Sequence, residues 1–231
     1  MFNPRIPFDA APWRLSGVVY GTLMNDAAAL QRLGDAVHQA PYKVPPKAPV
    51  LYVKPRNTLA SPGAQVVVPA DAGEFEIGAS LGLVIGRTAC RLNEADALDH
   101  LAGCTLVADL SVPHDSFYRP SIRFKARDGS CLVGPRVVNC PALRDLDALS
   151  LQVLLDGTVV HTASTAGMQR TVARLLVAVT DFMTLRPGDV LMLGVAAGAP
   201  RAHAGQHFAI EVPGIGRLEG ALVAERVEVV A

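Results

Sequence analysis

Positively charged side chains collect in two segments of this chain, among aromatic and turn residues. Lys54, Arg56 and Asn57 follow the apolar run Val50–Val53. The second segment, SFYRPSIRFKARDGS, carries Tyr118, Arg119, Arg123, Lys125, Arg127 and Asp128. Arginine offers a carboxylate two parallel hydrogen bonds and lysine offers a mobile charge, so a pocket fed by both segments would suit a substrate with several carboxylates. Solvated basic loops are the alternative, although the position of each run after a buried-type strand favours the pocket.

Acid/base chemistry would need a carboxylate or an imidazole close to these cations. Asp109 lies inside the apolar run Thr105–Leu110, where a carboxylate is costly to bury without a partner. That partner could be Lys125, in which case the two would form a structural ion pair. Histidine commonly serves in acid/base chemistry, so His38 and His114 could assist, but both also fit a surface location.

Common catalytic motifs are missing from the sequence. It contains no P-loop, HExxH or dinucleotide-binding GxGxxG pattern. Its four cysteines lack CxxC pairing, which argues against structural zinc.

Composition narrows the class of protein further. Of 231 residues, 50% are hydrophobic and 18% are charged, which predicts a folded domain with a substantial core. Lys plus Arg and Asp plus Glu both number 21, and this balance argues against nucleic acid or an anionic membrane as partner. No apolar run reaches the roughly 18 residues of a membrane span. Because Pro4, Pro7 and Asp9 do not suit a secretory leader, we expect a cytoplasmic protein.

Short apolar runs separated by Gly and Pro predict many strands. The predicted strands are Val50–Val53, Gln65–Val68, Ala79–Ile85, Thr105–Leu110, Leu151–Leu155, Val190–Leu193, Phe208–Val212 and Leu222–Val230. Asp156-Gly157 predicts a hairpin. Helices are predicted over Ala27–Val37, Glu94–Leu101 and Met168–Thr184. The pattern indicates an α+β fold dominated by β structure, in one domain over residues 1–231 with residues 1–45 as a small N-terminal subregion.

Five motifs, in this order and spacing, resemble the fumarylacetoacetate hydrolase family. They are YVKPRNT, LVIGR, EADALDHLAGCTLVADLS, SFYRP and LRPGDVLMLG. The resemblance runs from about Val18 to the C-terminus and implies a mixed β-sandwich roll with a few short helices. It is strongest to the N-terminal half of members that fuse two homologous halves and act as isomerase/decarboxylases in aromatic catabolism. This chain has the length of one half, so it resembles a separate subunit.

The resemblance also implies a substrate class and a cofactor. Family members act on unsaturated 2-oxo di- or tricarboxylates and bind Mg²⁺ or Mn²⁺ through an E-x-E pair and a later Asp. In this chain the E-x-E positions fall on Gly78 and Ser80, and only Asp109 keeps the acidic position. We therefore expect no tight metal binding. Glu74 and Glu76 lie just upstream and are expected to face solvent.

Lys54, Lys125 and Asp128 match family positions. In the first interpretation the two lysines replace the charge of the metal and Asp109 or Asp128 transfers protons. Arg56, Asn57, Tyr118, Arg119 and Arg127 would then hold the substrate carboxylates. In the second, the chain is an inactive partner of a metal-binding paralogue. In the third, it is a hydrolase or tautomerase for another 2-oxo acid. A homo-oligomer or a heteromer with the paralogue is expected.

Overall fold

The structure, a computed structural model, describes Leu15 and residues 18–114, 122–143 and 145–225. Strands dominate these residues, as expected. Their bounds are β1 Val19–Leu23, β2 Val50–Lys54, β3 Leu59–Ala60, β4 Gln65–Val68, β5 Glu74–Ile85, β6 Leu101–Ser111, β7 Cys131–Val138, β8 Ser150–Leu155, β9 Thr158–Ser164, β10 Val190–Met192, β11 Arg201–His203, β12 His207–Val212 and β13 Gly216–Ala224. The hairpin predicted at Asp156-Gly157 joins β8 and β9.

The strands form two mixed sheets. The larger sheet has 8 strands in the order β2-β1-β10-β5-β6-β7-β3, with β11 paired to β5. The smaller sheet has 5 strands in the order β4-β13-β12-β8-β9. Most pairs are antiparallel, while β1 with β10, β3 with β7 and β4 with β13 run parallel. This arrangement confirms the predicted α+β, mainly β, sandwich roll.

The two central strands of the larger sheet, β5 and β6, have two very different faces. Side chains alternate between faces along a strand, so Ile77 and Leu81 of β5 lie with Leu106 and Leu110 of β6 in the main core between the sheets. The opposite face of β5 carries Glu76, Gly78 and Ser80, and the opposite face of β6 carries Val107, Asp109 and Ser111. The polar residues on this second face are the ones that could do chemistry.

Three α-helices are present in the described residues: α1 Ala27–Leu33, α2 Ile122–Lys125 and α3 Val172–Thr180. Leu175, Leu176 and Val179 of α3 are buried in the main core, in agreement with the predicted apolar stripe. The helix predicted over Glu94–Leu101 is wrong. Only the 3-10 turn Ala97–His100 forms there, and the chain enters β6 at Leu101, because an eight-residue helix is too short to outweigh strand pairing with β5.

None of the helices in the described ranges is long and apolar enough to cross a membrane.

Candidate active site

The pairing of β5 with β6 determines which residues of the two strands lie together in the site. Glu76 lies opposite Ser111, and Gly78 lies opposite Asp109, in one continuous register. These four residues therefore occupy two adjacent rows on the same face of the sheet. A Cβ on Gly78 would come within 2.8 Å of the Asp109 carbonyl oxygen and 2.9 Å of a Val195 methyl carbon, so glycine keeps this row open.

Asp109 is the centre of a buried cluster of charges. Its Oδ1 lies 2.8 Å from Lys54 Nζ and its Oδ2 lies 2.9 Å from Lys125 Nζ. The Tyr52 hydroxyl donates a further hydrogen bond to Oδ2. Burial alone would raise the pKa of Asp109, but the charges of Lys125 and Lys54 outweigh it and hold that pKa well below its usual range. Asp109 is therefore a fixed carboxylate and a poor proton carrier.

The two lysines of this cluster have different surroundings. Lys54 is fully buried, and besides contacting Asp109 it donates to the Leu110 carbonyl oxygen at 3.1 Å and to Ser130 Oγ at 3.2 Å. Lys125 keeps 11% of its side chain exposed, and its Nζ lies 4.7 Å from the centre of the Tyr52 ring. Lys54 thus anchors the cluster, whereas Lys125 can reach a ligand.

Tyr52 completes the wall behind Lys125. Its ring lies across Gly21 of the neighbouring strand β1, where any Cβ would overlap the ring atoms. Burial and the negative charge of Asp109 raise the pKa of Tyr52 well above its ordinary value, so the phenol stays protonated and donates to Asp109.

A cavity of about 360 Å³ opens in front of this cluster. Tyr52, Asp109 and Lys125 form its floor, and Thr22, Gly78 and Ser111 line it nearby. Its rim contains two further cations, Arg32 of α1 and Arg201 of β11, together with the loop Val195–Ala199. The space is concave, partly polar and of the size of a small-molecule site.

The rim is held in place by Asn25 and Asp26. Asp26 Oδ2 accepts hydrogen bonds from Ala29 N and Ala197 N, both at 2.9 Å, and so fastens the start of α1 to the loop. Asn25 donates to the Leu193 carbonyl oxygen at 2.8 Å. Asn25 and Asp26 therefore both have structural partners.

Glu76 does not face bulk solvent, contrary to the expectation from sequence. It is half-buried and lines the cavity, because it lies on the same face of β5 as Gly78. Desolvation raises its pKa, against the lowering effect of Lys125 and His114. Glu74, two residues earlier, instead pairs with Arg201 at 2.9 Å.

Several residues predicted to hold substrate lie elsewhere. Asn57 Nδ2 donates to Asp128 Oδ1 at 2.6 Å on an exposed surface, and Arg56 beside it is exposed. Arg127 donates to both carboxylate oxygens of Asp71 at 3.0 Å. None of these four predicted residues lines the cavity. Tyr118 and Arg119 lie outside the described residues.

The described residues do not fit a divalent metal at this position. They contain no group of three His, Cys, Asp or Glu side chains able to hold one. Gly78 has no side chain, Ser80 Oγ accepts from Gly194 N at 3.2 Å, and both oxygens of Asp109 already contact ammonium groups. Two ammonium groups and one carboxylate leave the cluster with one net positive charge, which disfavours a further cation.

The polar cavity residues that sequence reasoning did not place there include Tyr52, Glu76, Ser111, Arg32 and Arg201. Tyr52 and Ser111 could have been found by period-two alternation, since they share strand faces with Lys54 and Asp109. Arg32 carries no such signal, because its position depends on how α1 folds over the sheet.

The fold is a mixed β-roll, and its cavity is lined in part by cations. Residues 18–223 match the family described as fumarylacetoacetate (FAA) hydrolase C-terminal, and the chain belongs to that family. It is 36% identical over 213 residues to the 4-hydroxyphenylacetate degradation bifunctional isomerase/decarboxylase of Escherichia coli. That match covers 92% of this chain and 48% of the relative, so the chain spans about half the length of the first curated relatives it matches.

Solved structures give the same assignment. The 5-carboxymethyl-2-hydroxymuconate delta-isomerase from Mycobacterium smegmatis superposes with a TM-score of 0.77 at 28% identity, over 92% of this chain and 80% of that one. The fumarylpyruvate hydrolase from Pseudomonas aeruginosa, in complex with Mn²⁺ and pyruvate, has a TM-score of 0.77 at 21% identity over 92% of this chain and 91% of that one. At that identity the second likeness concerns the fold alone.

Proposed function

We propose that this chain is an isomerase/decarboxylase subunit for unsaturated 2-oxo di- or tricarboxylates in 4-hydroxyphenylacetate catabolism. The observation that carries the proposal is the buried cluster of Lys54, Asp109 and Lys125, which presents one excess positive charge to the floor of a small-molecule cavity. The names of the similar proteins supply the substrate class.

Lys125 would stabilise the negative charge that the reaction creates. Loss of CO₂ from C5 of a 2-oxo-3-ene, the saturated carbon attached to its double bond, or loss of a proton from C3 of a 2-oxo-4-ene, sends an electron pair toward the 2-oxo oxygen. A fixed ammonium group beside the 2-oxo oxygen would stabilise such an enolate, because its charge is already oriented before the reaction. Tyr52 and Asp109 hold Lys125 in place through the cation–π contact and the ion pair.

Arg32 would bind the distal carboxylate. Its guanidinium lies above Gly198, about 3.3 Å from where a Cβ on that residue would stand, and it makes no hydrogen bond or ion pair with the described residues. Cations at the floor and at the rim suit a substrate with a carboxylate at each end.

A second candidate function is that of a partner to a homologous subunit that keeps the metal carboxylates. The absence of side-chain carboxylates at Gly78 and Ser80 favours it. A heteromer of this chain with that subunit would contain two homologous halves, as the fused members of the family do.

The test uses purified, chelator-stripped protein and the isomerisation of 2-hydroxyhepta-2,4-diene-1,7-dioate, followed by its ultraviolet absorbance. We expect turnover without Mg²⁺ or Mn²⁺, and a loss of about 100-fold or more in Lys125→Met. Arg123→Met is the matched control, because Arg123 is exposed and pairs with Asp71. Turnover only after a metal-binding paralogue is added would contradict catalysis by this cavity and support the partner function. Tight stoichiometric metal binding by calorimetry would contradict both, because each assumes that this chain lacks a metal site.

A further inference from the structure

Glu76 stands apart from the other carboxylates near the cavity. It lines the cavity directly, and its carboxylate makes no hydrogen bond with the described residues. The charged or titratable groups that act on it are Lys125, His114, Asp109 and Arg201. Gly78, the next residue on its face of β5, has no side chain, so nothing from that strand fills the space between Glu76 and the floor.

The alternatives for proton transfer are less suitable. Asp109 has both oxygens engaged by Lys54 and Lys125. Asp128 hydrogen-bonds to Asn57 on an exposed surface and does not line the cavity. Among the described residues that line the cavity, Glu76 is thus the carboxylate with oxygens available to a substrate.

Ser111 supplies an independent indication of a ligand beside Glu76. It lies directly across from Glu76 in the strand pair, is 3% exposed and lines the same cavity. Its hydroxyl has no hydrogen-bond partner within the described residues. A buried hydroxyl normally finds a partner, and a polar atom of a bound substrate would provide one here.

We propose that Glu76 is the catalytic acid/base that moves the proton in the isomerisation, an inference that rests on the proposed function. The Glu76 carboxylate takes a proton from C3 of a 2-oxo-4-ene: the C3–H bond breaks, an O–H bond forms, and the electron pair makes the C2=C3 bond as the carbonyl pair moves to the oxygen beside Lys125. The same proton then returns to C5. The C4=C5 pair forms the new C5–H bond, the C3=C4 double bond forms, and the carbonyl is restored.

The experiment follows hydrogen exchange at C3 of 2-oxoheptanedioate in D₂O by proton NMR, and binding of the same compound by calorimetry. Glu76→Gln keeps the size of the side chain but cannot accept the proton. We expect exchange to fall by about 100-fold or more while affinity changes less than about three-fold. Glu76→Asp should retain more exchange than Glu76→Gln. Glu219→Gln, at an exposed carboxylate of β13 that does not line the cavity, is the matched control and should exchange at the wild-type rate.

The outcomes separate this inference from the proposed function. If the wild type does not bind 2-oxoheptanedioate, the proposed function fails. If it binds but does not exchange, or if Glu76→Gln exchanges at the wild-type rate, the role of Glu76 is overturned and substrate binding stands. Thermal unfolding of each variant confirms that a lost rate does not reflect a lost fold.

Discussion

The chain segments 54–57 and 125–128 come together at two meeting points, an inner one that is buried and an outer one that is exposed to solvent. At the inner one, Lys54 and Lys125 converge on Asp109 with both Lys54 and Asp109 fully shielded from solvent. At the outer one, three residues further along each segment, Asn57 and Asp128 hydrogen-bond in the open. Both sites consist of polar residues with matched partners. Burial distinguishes them, because a charge in a low-dielectric interior interacts far more strongly with its neighbours and with a ligand.

Removing the central carboxylate of the inner meeting point, Asp109, should have the largest effect on stability. Asp109→Ala leaves two ammonium groups without their shared partner, and we expect a loss of about 3–5 kcal/mol in the free energy of unfolding. Asp128→Ala, at the outer meeting point, should change it by less than about 0.5 kcal/mol. Urea unfolding of both variants measures the difference. Similar losses at the two positions would show that burial does not separate them.

Low pH should reduce the contribution of the inner meeting point to the stability of the folded protein. Because the two lysines lower the pKa of Asp109 in the folded protein, its contribution to stability is fully present above its unfolded pKa of about 3.9. It is lost as pH falls toward the lower folded value. Stability measured from about pH 5 downward should therefore decline less steeply in Asp109→Asn than in the wild type. Equal slopes would contradict a depressed pKa for Asp109.

A smaller loss of stability is expected from a substitution at Gly21, whose backbone packs against the Tyr52 ring. Gly21→Ala would push a methyl group into the Tyr52 ring, and we expect a cost of about 1–3 kcal/mol. Thermal unfolding of the double variant Gly21→Ala with Tyr52→Leu provides the check. If the clash is the cause, Gly21→Ala should cost clearly less in the Tyr52→Leu background than alone. An unchanged cost would place the strain elsewhere.

Much of the fold follows from local patterns. The apolar runs that became β2, β4, β8, β10 and β12 are visible in the sequence, and the Asp-Gly turn fixed the β8–β9 hairpin. The failure at Glu94–Leu101 has a simple cause. A short stretch can satisfy a helical pattern, but its backbone bonds more extensively when Leu101 and the following residues pair with β5.

The site was only partly predictable. Asp109 with Lys125 was considered as an ion pair from the cost of burying a carboxylate, and the structure contains that pair together with Lys54. The sequence groups Arg56, Asn57 and Arg127 with the two lysines because they follow them closely in the chain, and the family resemblance adds Asp128. Extended and turn backbone sends neighbouring side chains in different directions, so closeness in sequence does not place them in one cavity.

The sequence by itself determined the β-rich class of this protein, its motifs and the loss of carboxylates at positions 78 and 80, since these depend on residue type and short-range order. Only the tertiary structure decided which cations face the cavity and that Glu76 lines it. Those features depend on the register of β5 against β6 and on how α1 and the loop Val195–Ala199 close over that face. Alternation along one strand shows which residues share a face, but the strand that lies beside it and the loop that closes over it are decided by contacts between residues far apart in the chain.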